Sequence, residues 1–306
     1  MTSDGLARPI DFSVRAGDGI HLGLSLGGGG VFFVAWQATY LQQLAKRGVD
    51  LKGAGRVVGT SAGSLVASIL EGGHIGRFEH ELAFLSKVPA LIALLAPASS
   101  FEPSQQRALD LFVAAQTAEP DLVRAIGHEA LVAATPSPNT MARNVSLMLL
   151  SRKWPSDSLH ITCVDTRTGE RCVVTSDSGV PIDRAVAASS AVPGIFSPQP
   201  IGDRRCMDGG VSGSGTHLDL LAGCDRAVVL SLSDPTPKPV GAMTQSPGGF
   251  AAEVDALKAS GTKVFLRSPE SMDLTKLMDP KAVPDAIAMA KRQAAADVEA
   301  LSEFIA

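Results

Sequence analysis

The chain has 306 residues, 45% of them hydrophobic and 19% charged, with a formal net charge of -4. That length and composition describe a globular chain with ample material for a buried core, not a disordered one. No Lys/Arg cluster stands out, which argues against a nucleic-acid footprint and leaves any membrane contact to be mainly hydrophobic.

The first residues, "MTSDGLARPIDFSVRAGDG", contain no apolar core of a signal peptide. A cytoplasmic location is expected, with signal-independent export left open. An apolar strand is predicted from about Ile20 to Leu26, running straight into four glycines, Gly27 to Gly30. Behind them Phe33, Trp36, Tyr40, Leu41 and Leu44 recur at helical spacing. A second short strand, Arg56 to Val58, leads into "GTSAG" and a second helix whose face carries Ala62, Leu65, Val66, Ile69 and Leu70. Between these, Gly63, Ser64, Ala67 and Ser68 are small enough for close packing. Two strand–glycine–helix units in succession predict an α/β fold with a mainly parallel sheet.

From about Gly72 to Ser151 the sequence is greasy and helical, broken by prolines at 89, 97, 103, 120, 136 and 138. It reads as a helical cap inserted on the sheet, or equally as ordinary core helix. Its longest apolar run, Val88 to Ala98, falls far short of the ~20 residues of a membrane span. Strands return in "LHITCVD" and "RCVVTS", joined by the turn "TRTGE", which can set Cys163 opposite Cys172. The four cysteines (Cys163, Cys172, Cys206 and Cys224) form no C-x-x-C pair and read as small buried hydrophobes in a reducing compartment. A short helix at Asp183 to Ser190 follows, then strands "RAVVLSL" and "KVFLR" separated by a Pro/Gly-rich loop. A terminal amphipathic helix shows Ile287, Ala290, Ala294, Val298, Leu301 and Ile305 on one face. No repeat is evident, and residues 1–306 are read as a single domain with the cap at about 72–151.

Three short stretches can carry chemistry. "GTSAG" fits G-x-S-x-G, which places a serine on a sharp strand-to-helix turn, so Ser61 is the candidate nucleophile. The glycines before the first helix leave backbone N–H groups unobstructed, as an oxyanion hole needs. A phosphate loop fits less well, because Gly30 is followed by Val31-Phe32-Phe33 where a P-loop has G-K-[ST]. The third stretch is "MDGG", which can bring Asp208 into a crowded site. Asp165 and Asp219 are rival acids without glycines beside them. Of the six histidines, only His217 lies near a motif, nine residues after Asp208.

In this order, "LSLGGGG", "VVGTSAGSLVASIL" and "CMDGG", with "ASSAVPGIFSPQPI" before the last, resemble the patatin-like phospholipase family across roughly Leu22 to Ser233. Bacterial members with Ala-Trp after the glycines, here Ala35-Trp36, are the most similar. The resemblance implies a three-layer α/β/α fold and a Ser–Asp dyad without histidine. It makes Ser61 the nucleophile, Asp208 the base, and the amides of Gly28, Gly29 and Gly30 the oxyanion hole. The implied reaction is hydrolysis of a lipid acyl ester through an acyl-enzyme. Leu91 to Leu95 of the cap would then help to admit acyl chains. One departure is Phe32-Phe33, where many members carry Arg or Lys and then Gly. It keeps a second reading open, a lipid-binding or interaction protein on the same scaffold with little turnover. The expected partner is a lipid or ester substrate, with transient hydrophobic contact to a membrane surface and no nucleic acid. With no EF-hand loop and no H-E-x-x-H, no metal or other cofactor is expected.

Overall fold

Alternating side chains on the central strands decide the layering. In the computed structural model, which describes residues 4–87, 101–271 and 274–306, Leu24, Val57 and Val228 point into one apolar cluster. Their neighbours Val58, Ala227 and Val229 point into a second, on the opposite face of the sheet. The strands are β1 (Leu22–Leu26), β2 (Arg56–Gly59), β3 (Leu159–Asp165), β4 (Arg171–Val174), β5 (Gln199–Ile201), β6 (Arg204–Asp208), β7 (Arg226–Leu230) and β8 (Lys263–Arg267). Their order is β5-β6-β3-β2-β1-β7-β8, with β4 added against β3. From β3 through β8 the neighbours are parallel, whereas β4 and β6 run antiparallel to β3. Helices cover both faces, which makes three layers, α/β/α.

On the first face, α1 (Gly30–Ala45) lies against the C-terminal helix Val283–Ile305. Trp36 Nε1 donates to Gln293 Oε1 at 2.8 Å, and the Tyr40 hydroxyl donates to Asp297 Oδ2 at 2.8 Å. The apolar stripe expected on this helix understates its burial. Gln37, Ala38 and Thr39 are buried as well, because the far side of α1 also meets protein. On the second face, helix Gly249–Ala259 packs Phe250, Val254 and Leu257 over Leu218, Leu220 and Leu221.

The segment expected as cap or core divides between the two. Helix Pro138–Leu149 sends Ala142, Val145 and Leu149 into the main core. Phe112, Val123, Ile126 and Ala130, from helices Pro103–Ala114 and Pro120–Val132, instead form a separate cluster with Val164, Met207 and Val211. Pro103, Pro120 and Pro138 open helices, a position where the missing N–H costs nothing. The run Val88 to Ala98, with Leu91 to Leu95, lies outside the described residues. Cys163 pairs directly with Cys172 across β3 and β4, and all four cysteines are free and buried. No helix among the described residues is long and apolar enough to cross a membrane.

Candidate active site

The sheet brings Ser61 and Asp208 together through β3. Gly59, at the end of β2, pairs with Ile161, and Asp208, at the end of β6, pairs with Cys163. Because β4 occupies the other edge of β3, β2 and β6 share one edge and their C-terminal ends meet over Thr162. The Thr60 and Thr162 hydroxyls are hydrogen-bonded at 2.9 Å at that junction. Two chain segments almost 150 residues apart in sequence thus open into the same crevice, outside the carboxyl ends of the strands.

Ser61 sits on a strained turn, with φ 51° and ψ -119°, between β2 and α2 (Ala62–Glu71). Such a conformation persists only where its surroundings hold it. Its N–H donates to Ser189 Oγ at 2.9 Å, and its carbonyl accepts from Ser64 Oγ at 2.6 Å and Ser190 Oγ at 3.2 Å. Gly63 lets α2 start this close to β1, since a Cβ there would stand 1.9 Å from the Leu26 carbonyl oxygen.

Asp208 is buried, and burial pushes its carboxyl up to about 6. The Gly210 N–H, donating to Oδ1 at 2.9 Å, and the neighbouring Ser61 hydroxyl both pull the other way. No well-formed hydrogen bond reaches Oδ2, and the Ser61 hydroxyl is near enough to bear on the carboxyl. Looser contacts of this kind are usual before substrate arrives.

The glycine loop is pinned at one peptide and open at the next. Gln37 Nε2 donates to the Gly27 carbonyl at 3.0 Å, while the Gly28 N–H donates to the Gly215 carbonyl at 3.1 Å. Of the expected trio of donors, one already has a partner. The Gly28 amide is engaged, so Gly28 is the anchor of the loop. Among the described residues no acceptor meets the N–H groups of Gly29 and Gly30, at the positive end of α1. Gly28 itself is tight against the nucleophile, as a Cβ there would lie 3.2 Å from Ser61 Cβ. Phe33 packs directly against this loop, since a Cβ at Gly29 would lie 2.6 Å from Phe33 Cβ. Phe32 and Phe33 are both buried in the core, where Phe33 stacks on Trp36 at a centroid distance of 5.4 Å.

Ser61, Asp208 and the glycines line one cavity of about 420 Å³. Leu109, Phe112 and Val113 of helix Pro103–Ala114 form part of its wall, with Ile195, Met243 and Met278. The rivals lie elsewhere. Asp219 makes a two-pronged ion pair with Arg171 at 2.6 and 2.7 Å, and Asp165 pairs with Arg204 at 3.0 Å. His217 is buried with Nδ1 3.3 Å from Arg171 Nη1. Burial and that guanidinium hold its pKa far below the ordinary histidine range. Among the described residues no histidine lines the cavity.

Several contributors escape a reading of the sequence. Gln37 looks like a polar position on a surface helix, and Gly215 like one more loop glycine. Ser189 and Ser190 fall in the quoted "ASSAVPG", but nothing in their spacing points at Ser61. Their contacts cross 128 and 129 positions of sequence.

A family model for patatin-like phospholipase matches residues 24–221. Among solved structures, VipD from Legionella pneumophila aligns with a TM-score of 0.40 at 13% identity, covering 92% of this chain and 67% of that one. The type III effector protein ExoU aligns with a TM-score of 0.34 at 19% identity, covering 96% of this chain and 56% of that one. The chain therefore spans about two thirds of the first structure and just over half of the second. Among curated protein sequences none matches.

Proposed function

The chain belongs to the patatin-like phospholipase family, and on that basis we propose that it is a serine lipid acyl hydrolase working through Ser61 and Asp208. The observation that carries this reading is the meeting of β2 and β6 over Thr162, which sets a strained serine beside a buried, unpaired carboxylate. In the proposed reaction, Asp208 Oδ2 takes the proton of the Ser61 hydroxyl as Oγ attacks the ester carbonyl carbon. The oxyanion of the tetrahedral intermediate receives the N–H groups of Gly29 and Gly30, with the Gly28 peptide held in place behind them. Collapse of the intermediate expels the alcohol, which recovers the proton from Asp208 and leaves an acyl-Ser61 ester. Water, deprotonated by the same carboxylate, then releases the acid.

Leu109, Phe112 and Met243 suit the acyl chain, and the partly exposed rim residues Val113 and Val240 suit hydrophobic contact with a lipid surface. Helices Pro103–Ala114 and Pro120–Val132 then act as a helical cap, with helix Pro103–Ala114 facing substrate. The lack of a well-formed hydrogen bond at Asp208 Oδ2 favours one second reading, a lipid-binding scaffold with little turnover. A fluorophosphonate probe and a panel of long- and short-chain esters separate the two. The hydrolase reading expects labelling and turnover that disappear in Ser61→Ala. A folded wild-type protein that neither labels nor hydrolyses any ester leaves the binding scaffold.

A further inference from the structure

The anchor of the glycine loop is itself held from outside the cavity. The Gly215 carbonyl that receives the Gly28 N–H belongs to a tight turn, Ser214 to His217. Ser214 Oγ accepts from the N–H groups of His217 at 2.7 Å and Thr216 at 3.3 Å. The Thr216 carbonyl accepts from Ser25 Oγ on β1 at 2.7 Å. Below the turn stands Glu253, on helix Gly249–Ala259. Its Oε2 accepts both the Ser214 hydroxyl, at 2.8 Å, and the Thr216 hydroxyl, at 3.3 Å. Glu253 does not line the cavity, and no cation pairs with it among the described residues. The arrangement is unusual for a carboxylate that the dyad does not need. It spends two hydroxyl donors on one oxygen, and both donors sit on the turn that fixes the oxyanion loop.

We infer that Glu253 is a positioning residue for the oxyanion loop: its ionised carboxylate clamps the Ser214–Thr216 turn, and through the Gly215 carbonyl that turn fixes the Gly28 peptide and hence the direction of the next N–H groups. A carboxylate can accept both hydroxyls, whereas a carboxylic acid carries a proton on one oxygen and accepts less strongly on the other. Protonation therefore loosens the clamp. Burial raises the Glu253 carboxyl to about 7, with hydrogen bonds from Ser214 and Thr216 lowering it and the charge of Asp219 raising it. Asp219 is locked to Arg171, and His217 beside them is held neutral. Burial thus lets Glu253 change charge near neutrality. The inference rests on the hydrolase reading for its effect on rate, but the mechanical link from Glu253 to Gly28 does not.

Two measurements keep these apart. The first follows glycine amide resonances of the Ser61→Ala protein against pH, with glycine-selective labelling. Gly28 and Gly215 should shift with a midpoint near that of Glu253, and the shift should vanish in Ser61→Ala/Glu253→Gln. Resonances that ignore pH, or that titrate unchanged without Glu253, overturn the inference whatever the enzyme does. The second measures the pH dependence of kcat/KM on a soluble ester. Wild type should rise in two steps, one for Asp208 and one for Glu253, and Glu253→Gln should lose the upper step. Glu253→Ala should lower kcat about tenfold to a hundredfold with KM little changed, the scale of a misplaced catalytic group. Glu253→Gln, which can still accept a hydroxyl, should recover much of that loss. Ser214→Ala breaks the same link from the other side and serves if Glu253→Ala does not fold. Folded variants with wild-type kcat and an unchanged two-step profile also overturn the inference. A wild-type enzyme that is inert to ester and probe overturns the effect on rate, and the hydrolase reading with it.

Discussion

Asp208 and Asp219 lie eleven positions apart on one stretch of chain, and they are 4% and 3% exposed. Burial therefore does not distinguish them. Their partners do. Asp219 meets the fork of Arg171 with both oxygens, and Arg171 in turn donates to the carbonyls of Arg8 and Pro9 at 2.7 Å each. Its charge is compensated, and the ion pair ties the N-terminal segment to the sheet. Asp208 has one amide on one oxygen and nothing on the other. The same side chain at the same depth is a structural tie in one place and a candidate base in the other. The difference is whether the fold supplies a cation.

The comparison breaks most visibly in the kinetics. Asp208→Asn keeps the shape and leaves an acceptor for the Gly210 N–H, but it cannot take a proton. Turnover should fall by roughly 10²–10⁴-fold, the usual worth of a general base. Ester hydrolysis by the folded variant checks this, and near-normal turnover would remove Asp208 from the dyad. Asp219→Asn should do the reverse. It strands Arg171, 3% exposed at its side chain, without a counter-charge, and breaking one half of a buried pair costs about 3–5 kcal/mol. Urea unfolding should report that loss, while protein that remains folded keeps most of its kcat. If Asp219→Asn were instead fully stable and catalytically dead, the roles assigned to the two aspartates would have to be exchanged.

The sequence made part of this contrast visible. Asp208 stood out because two glycines follow it, and Ser61 because its glycines and small neighbours mark a strand-to-helix turn. These are local signals, set by backbone crowding within a few residues. The α/β layering was equally legible, since two strand–glycine–helix units follow one another near the start of the sequence. The pairing of Asp219 with Arg171 spans 48 positions and has no local signature. The same holds for Gln37 on the Gly27 carbonyl and for Glu253 under the Ser214 turn. Each is a polar residue on an otherwise ordinary helix, and only the sheet order shows what it touches. The meeting of β2 and β6 over Thr162 was likewise out of reach, because it depends on which edge of β3 is taken by β4.

The smallest expected effect is thermodynamic, and it follows from the sign of the Asp208 shift. Burial raises that carboxyl from 3.8 to about 6, so the folded protein holds the proton more tightly than the unfolded chain does. At pH below the unfolded value the group is protonated in both states and no stability is lost. As pH rises from about 4 to about 6 the unfolded chain ionises first, and the folded state loses stability relative to it. Above the folded value the loss is complete, roughly 1–3 kcal/mol for a shift of this size. Asn cannot ionise, so Asp208→Asn should be more stable than wild type at pH 8 by about that amount. The two should converge near pH 4. Thermal or urea unfolding of both proteins at the two pH values measures the difference. An advantage that is absent at pH 8, or that persists undiminished at pH 4, would mean that Asp208 does not carry its charge at a cost. Its resemblance to Asp219 would then be closer than its missing cation suggests. A gain in stability together with a loss of turnover in the same variant would identify a carboxylate that the fold keeps unpaired because the reaction needs it so.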